Sequence, residues 1–124
     1  MFRAVVGHRR VLSLLSRAIA GDTLPPALLF SGPEGVGKRR TASALSRAIN
    51  CLAPVAGARV PPLHEGDEAL TLARDACGEC AACRRIERDV HPDVIVIAVA
   101  VGIDPDRLKH GAGVGIAAGG TQIP

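Results

Sequence analysis

The spacing of apolar residues in the first part of the chain predicts a helix followed by a short buried strand. From Val11 to Ile19 the apolar residues recur at helical spacing, at Val11, Leu14, Leu15, Ala18 and Ile19. Gly21 ends this helix, and Pro25–Pro26 hold the next segment extended. Ala27–Phe30 is a short apolar run between proline and glycine residues, which is typical of a buried parallel strand.

A second helix is predicted from Lys38 to about Asn50, with one apolar face made of Ala42, Leu45, Ala48 and Ile49. Ser31–Gly37, between the predicted strand and this helix, is a glycine-rich turn. Strand, glycine loop and helix in this order form the opening unit of an α/β fold. We therefore expect an α/β protein with a parallel sheet and flanking helices.

The second part of the chain is less regular. Prolines and glycines break every pattern in Leu52–Ala76, so we expect a loop inserted into the core fold. Ala81–Arg88 predicts a short helix, and the β-branched run Val94–Val101 predicts a second buried strand. Gly111–Pro124 is glycine-rich without periodicity, and we expect it to be disordered, or the product of a truncated or frame-shifted reading frame.

Composition narrows the class of protein. The 124 residues suffice for one small domain, and with two Phe and no Tyr or Trp its core must be aliphatic. Fifteen Lys and Arg against 12 Asp and Glu give a net charge of +3, too small to indicate nucleic-acid binding alone. No apolar run is long enough for a membrane helix, so we expect a soluble cytoplasmic protein. Four cysteines in a reducing compartment indicate a metal site rather than disulfides.

The glycine loop matches the Walker A pattern up to its lysine, and reads Gly32, Pro33, Glu34, Gly35, Val36, Gly37 and Lys38. Glycines let backbone N–H groups approach phosphate oxygens, and the start of the following helix favours an anion. The Lys38 ammonium would reach the β and γ phosphates. The loop therefore predicts a nucleotide site that extends from Gly32 to Arg39.

Arg39 departs from the Walker A pattern, which has Ser or Thr at that position to bind Mg²⁺. A guanidinium cannot ligate Mg²⁺. Thr41 lies about 200° around the helix from that position and cannot replace the missing hydroxyl. Three readings follow: ATP binds weakly, it binds without metal, or the loop is kept for its shape alone. We do not expect the chain to hydrolyse ATP.

A dense cysteine segment follows the predicted insertion, and a further cysteine precedes it; the four are Cys51, Cys77, Cys80 and Cys83. Four thiolates form a closed tetrahedral Zn²⁺ site. An iron–sulfur cluster is the rival, but the ferredoxin motif would continue with a cysteine where Glu87 stands. His64 could replace Cys51 as the fourth ligand, and we expect the other histidines to be ordinary polar residues.

Ordered motifs give the chain a resemblance to a known family. They are Val5-Val6-Gly7-His8, the run from Leu28 through Lys38, Ala48-Ile49-Asn50-Cys51, the cysteine segment and His91-Pro92-Asp93. Across about residues 2–108 the chain resembles the N-terminal AAA+ module of bacterial DNA polymerase III clamp-loader subunits, the delta-prime and tau/gamma proteins. The resemblance implies that Val5 and Val6 lie near adenine, that Gly32–Lys38 binds phosphate, and that the four cysteines bind zinc.

The resemblance also implies a role. Tau/gamma subunits hydrolyse ATP, whereas delta-prime is mainly a stator with an often impaired nucleotide site, and Arg39 favours delta-prime. The implied role is to help load the sliding clamp onto primed DNA, with other clamp-loader subunits as partners and no membrane. The chain would belong to the polymerase III holoenzyme, a nucleotidyltransferase complex, without being catalytic alone. Residues 1–110 would be the N-terminal part of the AAA+ domain, with residues 51–83 as a zinc module.

Two other functions remain open at this stage. One is an ATP-hydrolysing motor of the tau/gamma type. The other is a zinc module that binds nucleic acid through Arg84, Arg85 and Arg88, although it lacks stacking aromatics. A Walker B acidic pair is not evident, since Pro105 follows Asp104 where Glu is expected. A partial AAA+ sheet would leave strand edges uncovered, so we expect poor solubility.

Overall fold

A computed structural model describes residues 1–97, which form a small α/β structure with three helices and a two-stranded sheet. The elements are a 3-10 turn Phe2–Ala4, α1 Arg9–Ala20, α2 Lys38–Asn50, β1 Ala58–Val60, β2 Leu70–Leu72 and α3 Ala81–Glu87. The three predicted helices are confirmed. The chain divides into two units, Met1–Arg84 and Arg85–Pro124.

Helix α1 buries a face that differs in part from the predicted one. Leu12 is fully buried and Leu15 nearly so, whereas Val11 is 41% and Leu14 63% exposed. The buried face is therefore centred on Leu12 and Leu15 rather than on Val11 and Leu14. The buried positions Leu12, Leu15 and Ser16 still follow helical spacing, and the helix packs along them against β2 and α2.

Ser16 is a buried polar residue that joins α1 to the sheet. Its Oγ accepts a hydrogen bond of 3.1 Å from the backbone N–H of Ala73, directly after β2, and donates one of 3.3 Å to the carbonyl of Ser13. Without Ser16 this part-buried N–H would lose its partner, which destabilises the folded state.

Replacing Ser16 with alanine is expected to lower the free energy of unfolding by about 1 kcal/mol, because the hydrogen bond between α1 and the Ala73 N–H is lost. Urea unfolding followed by circular dichroism measures this loss. Ser13→Ala is the matched control, since Ser13 contributes only its backbone carbonyl to the contact. Equal stabilities of the two variants would contradict the role assigned to Ser16.

The segment predicted as a loop contains an antiparallel hairpin. Strands β1 and β2 pair with Ala58 opposite Leu72 and Val60 opposite Leu70. A separate bridge joins Val55 and Asp75 through two backbone hydrogen bonds of 2.9 Å. The prediction of a structureless segment was therefore wrong in this part. The signal was the alternation of apolar and polar residues in each strand, where outward-facing Arg59 separates two buried residues.

The hairpin covers a core supplied mainly by the two long helices. The largest buried residues of this core are aliphatic except for one phenylalanine, as the composition predicts, and they are Phe2, Leu12, Leu15, Leu45, Val60 and Leu72. The first turn, α1, α2 and the hairpin therefore form one packed body. That body includes α2. One candidate site, the glycine loop, precedes the start of α2, and the other, the cysteine group, lies at its end.

The predicted buried strands are not formed within residues 1–97. Ala27–Phe30 is not a strand, and Leu29 is 92% exposed. The physical reason is that a strand needs a neighbour to pair its backbone groups. Within the described residues 1–97, β1 and β2 pair only with each other. Val94–Ile97, the described part of the second predicted strand, also has no strand structure. The predicted parallel sheet is thus absent from the part of the chain that the structure describes.

In the second unit the structure describes Arg85–Ile97. The end of α3 closes with a hydrogen bond of 2.9 Å from the Val90 N–H to the Arg85 carbonyl, and Asp89 adopts a left-handed φ of 56°. The possible Walker B residues Asp104 and Pro105 and the tail Gly111–Pro124 lie outside the described residues.

Among residues 1–97, no helix has the length and apolar character needed to cross a lipid bilayer.

Candidate nucleotide loop and metal centre

The glycine loop ends at the start of α2. Gly35 and Gly37 have φ values of 80° and 100°, a left-handed conformation that favours glycine. Gly37 precedes the helix, and among residues 1–97 no side-chain hydrogen bond caps its first turn. The N–H groups of that turn are therefore open to an anion, which the helix dipole also favours.

The Lys38 side chain folds back over the loop. Its Nζ donates hydrogen bonds of 2.6 Å to the Gly32 carbonyl and 2.9 Å to the Pro33 carbonyl. These bonds hold the ammonium against the loop that precedes α2. The loop from Gly32 to Gly35, including Glu34, is exposed, so a phosphate could reach this charge from solvent.

His8 is a loop contact that sequence reasoning missed. Its Nε2–H donates a hydrogen bond of 2.7 Å to the Val36 carbonyl. His8 precedes α1 with a left-handed φ of 53°, directly after Gly7 with a φ of 76°. The available signal was its place in the Val5-Val6-Gly7-His8 motif, which the prediction of an ordinary polar histidine overlooked.

The two valines predicted near adenine lie in different environments. Val5 is 6% exposed and belongs to the hydrophobic core, whereas Val6 is 73% exposed. Both lie between the first turn and His8, which contacts the loop. Val5 therefore anchors the segment, and the contact of Val6 with adenine stays a prediction.

The position that follows Lys38 offers no hydroxyl to a metal ion. Arg39 is exposed at the start of α2. Thr41 is 4% exposed, and its Oγ1 donates a hydrogen bond of 3.0 Å to the Gly37 carbonyl. The Thr41 hydroxyl is thus turned into the fold, as the helical spacing predicts.

The four cysteines come together at the end of α2. One ligand atom from each of Cys51, Cys77, Cys80 and Cys83 lies within 4.8 Å of the others. The Cys51 sulfur is 3.5 Å from that of Cys77 and 3.9 Å from that of Cys80. Zinc–sulfur bonds of about 2.3 Å in a tetrahedron place the sulfurs about 3.8 Å apart. The arrangement therefore fits a tetrahedral Zn²⁺ ion.

Each ligand comes from a defined element. Cys51 directly follows α2, Cys77 and Cys80 belong to a tight turn around Gly78, and Cys83 lies in α3. Gly78 has a φ of 86°, a left-handed conformation that favours glycine, and a Cβ there would also displace the Met1 side chain. His64 lies outside the cysteine group in the exposed β1–β2 connection, so Cys51 and not His64 completes the set.

Backbone N–H groups around the turn stabilise thiolates. The N–H groups of Glu79 and Cys80 lower the pKa of Cys77. Those of Cys83 and Leu52 lower the pKa of Cys80 to about 6. Burial raises the pKa of the Cys83 thiol to about 12. Two ligands are thus prepared for a cation, while Cys83 would release its proton when a metal binds.

A buried carboxylate beside the cysteines was also missed from the sequence. Asp75 is fully buried and accepts hydrogen bonds from the backbone N–H groups of Phe2 at 2.7 Å and Ala76 at 2.8 Å. The Arg3 guanidinium forms an ion pair with it at 3.3 Å and donates to the Cys77 carbonyl at 3.2 Å. Asp75 thus ties the first turn of the chain to the cysteine turn.

Comparison with known proteins identifies similar chains. The family described as "DNA polymerase III, delta subunit" matches residues 7–111. The chain is 34% identical over 109 residues to DNA polymerase III subunit tau of Bacillus subtilis (strain 168), covering 87% of this chain and 16% of that protein. It is 33% identical over 99 residues to subunit tau of Escherichia coli (strain K12), covering 80% and 13%.

A relative of the other subunit type is about as similar. The chain is 33% identical over 100 residues to DNA polymerase III subunit delta' of Bacillus subtilis (strain 168), covering 81% of this chain and 23% of that protein. The chain thus spans less than a quarter of the length of each of these relatives. No solved structure matches the chain.

Proposed function

The chain belongs to the DNA polymerase III delta-subunit family of clamp-loader proteins, and from this premise we propose that it is a clamp-loader subunit of the delta-prime type. In this role it helps load the sliding clamp onto primed DNA in the cytoplasm as part of a hetero-oligomer with other clamp-loader subunits. Its own contribution is a structural one, that of a stator with an impaired nucleotide site. Residues 1–110 would then be the N-terminal part of an AAA+ domain.

The observation that carries the delta-prime assignment is the chemistry after Lys38. Arg39 stands where a hydrolysing subunit needs a hydroxyl for Mg²⁺, and Thr41 is buried and bonded to the Gly37 carbonyl. Phosphoryl transfer depends on a metal held between the phosphates. A guanidinium beside the phosphates would instead neutralise part of the negative charge that the metal ion neutralises in a hydrolysing subunit.

The proposed nucleotide site spans Gly32 to Arg39 and binds phosphate without a metal ion. The open N–H groups of α2 and the Lys38 ammonium support phosphate binding, and the exposed Val6 side chain supports a contact with the base. His8 holds the loop through the Val36 carbonyl and is a positioning residue. ATP or ADP would thus stabilise the subunit rather than react on it.

The proposed role of zinc is structural. All four ligands of the tetrahedral site would be protein thiolates, which leaves no open position for a substrate. The ion would join Cys51, at the end of α2, to the turn of Cys77 and Cys80 after the hairpin. It would therefore close the hairpin segment at its base, as the module of residues 51–83.

The alternative function is that of an ATP-hydrolysing tau/gamma subunit, and the similarity to tau subunits favours it. The identity to a delta' subunit is nearly the same, so similarity alone does not separate the two types. The two proposals differ in their dependence on Mg²⁺: a motor requires it, and a stator of the proposed kind does not.

Replacing Lys38 with alanine is expected to weaken ATP binding about tenfold or more, because a charged hydrogen bond to phosphate is lost. Mg²⁺ is expected not to tighten ATP binding by the unmodified chain, because the position after Lys38 offers the metal ion no hydroxyl ligand. Isothermal titration of the zinc-loaded chain, with and without Mg²⁺, measures both effects. Arg40→Ala is the matched control, because Arg40 is an exposed cation on the same helix.

The Arg39→Thr variant sharpens this test. Threonine restores the hydroxyl of the Walker A pattern, so ATP binding by this variant is expected to tighten when Mg²⁺ is added. If the unmodified chain already binds ATP more tightly with Mg²⁺, the delta-prime assignment is wrong and the tau/gamma type is favoured.

A further inference from the structure

A pocket with a volume of 330 Å³ lies between α1 and the start of β2, and neither the glycine loop nor the cysteines contribute to its lining. Its lining combines three cations, a hydroxyl and two leucines, and consists of Arg9, Arg10, Ser13, Leu14, Arg17 and Leu70. None of these residues is assigned to the proposed nucleotide or metal site. The lining of the pocket is therefore separate from both proposed sites.

The positive charge of the pocket is not neutralised. Arg9 is half-buried, and its guanidinium donates to two backbone carbonyls, that of Pro61 at 3.1 Å and that of Glu68. Carbonyls fix the position of Arg9 without cancelling its charge. Within residues 1–97, neither it nor the exposed Arg10 and Arg17 forms an ion pair with a carboxylate. The pocket thus presents a fixed cation beside two free ones.

The apolar part of the pocket lies between these charges. Leu14 is 63% exposed and stands on α1 between Arg10 and Arg17, at helical spacing from both. Leu70, at the start of β2, is half-buried and packs against the core below. An exposed leucine flanked by unpaired arginines is typical of an interface with an apolar centre and a charged rim.

We propose that this pocket docks an acidic amphipathic helix of a partner protein. Arg10 and Arg17 are separated by about 10 Å along the helix axis, two turns of α1. A partner helix with carboxylates seven positions apart matches this separation, and an aliphatic residue midway between them would contact Leu14 and Leu70. The three arginines would attract the acidic face and set its orientation.

The lining favours a protein partner over a nucleic acid. Single-stranded nucleic acids bind along basic grooves in which aromatic side chains stack on the bases. No aromatic residue lines this pocket, and its two apolar contacts are leucines, which suit an aliphatic side chain. Single-stranded DNA is therefore the alternative ligand, and the experiment must distinguish its binding from that of a peptide.

The experiment titrates the zinc-loaded full chain with a short helical peptide that carries two glutamates seven positions apart and leucines between them. Fluorescence anisotropy of the labelled peptide measures binding, and a peptide with glutamine in place of glutamate is the ligand control. Arg10→Gln and Arg17→Gln are each expected to weaken binding about threefold, and together about tenfold. Leu14→Ala is expected to weaken it as well, because the apolar contact is lost.

Arg84→Gln is the matched protein control, because it removes one exposed positive charge outside the pocket. Circular dichroism checks that the variants remain folded, as expected for exposed positions. Weaker binding of the peptide by the pocket variants, and not by Arg84→Gln, supports the proposal. Equal losses of peptide binding in all variants, or no peptide binding at all, would overturn it. The proposal would also be wrong if binding of a labelled oligonucleotide depended on Arg10 and Arg17 while binding of the peptide did not.

Discussion

Replacing Cys83 with serine is expected to abolish stoichiometric zinc binding and most of the cooperative unfolding of residues 1–84. Cys83 is fully buried in α3, and its sulfur is the ligand that burial keeps protonated until a metal binds. Structural zinc sites contribute about 10–16 kcal/mol of apparent binding free energy, which exceeds the stability of most small domains. Atomic absorption gives the zinc content, and thermal unfolding followed by circular dichroism gives the stability.

The chelator response of the unmodified chain is the control for this variant. EDTA is expected to remove most of the cooperative unfolding of the unmodified chain, as Cys83→Ser does, and to leave the unfolding of the variant unchanged. If the variant kept one zinc per chain and the original melting temperature, the four-thiolate site would be wrong.

Replacing Asp75 with alanine is expected to destabilise the fold by about 3–5 kcal/mol, because the loss leaves the buried N–H groups of Phe2 and Ala76 and the charge of Arg3 unpaired. Asp75 accepts all of these contacts while fully buried. Urea unfolding measures the loss, with Glu65→Ala as a control that removes an exposed carboxylate.

The same variant tests whether Asp75 supports the metal centre. Arg3 reaches from Asp75 to the Cys77 carbonyl, so zinc affinity is expected to fall at least tenfold when Asp75 is replaced. Competition with a zinc-binding dye gives the affinity. A loss of less than about 1 kcal/mol in stability with unchanged zinc affinity would show that Asp75 supports neither the fold nor the metal centre.

The parts of the fold that rest on local chemistry could be predicted from the sequence. Helix α2 begins after Gly37 because glycine permits the turn, and its apolar residues recur at helical spacing. The cysteines could be grouped because the short spacing of Cys77 and Cys80 lets one ion bind both sulfurs. The side of α2 that carries Thr41 likewise follows from helical geometry alone.

The parts that depend on distant partners could not be predicted. The run Ala27–Phe30 has the composition of a buried strand, but a strand forms only where a neighbour pairs its backbone, and residues 1–97 provide none beside it. The hairpin strands have only three residues each, too short for their alternation to stand out among prolines and glycines. The burial of Asp75 could not be predicted from the sequence, since its partners Phe2 and Arg3 lie far away, at the start of the chain.

The rate of ATP hydrolysis tests most directly whether the chain is a subunit that binds nucleotide without hydrolysing it. The measurement is phosphate release by the zinc-loaded chain with saturating ATP and Mg²⁺, for the unmodified chain and the Lys38→Ala variant. We predict no release above the buffer rate for either protein, since Arg39 and the buried Thr41 leave Mg²⁺ without a hydroxyl ligand. Mg²⁺-dependent release that Lys38→Ala abolishes would contradict this and would make the chain a motor subunit.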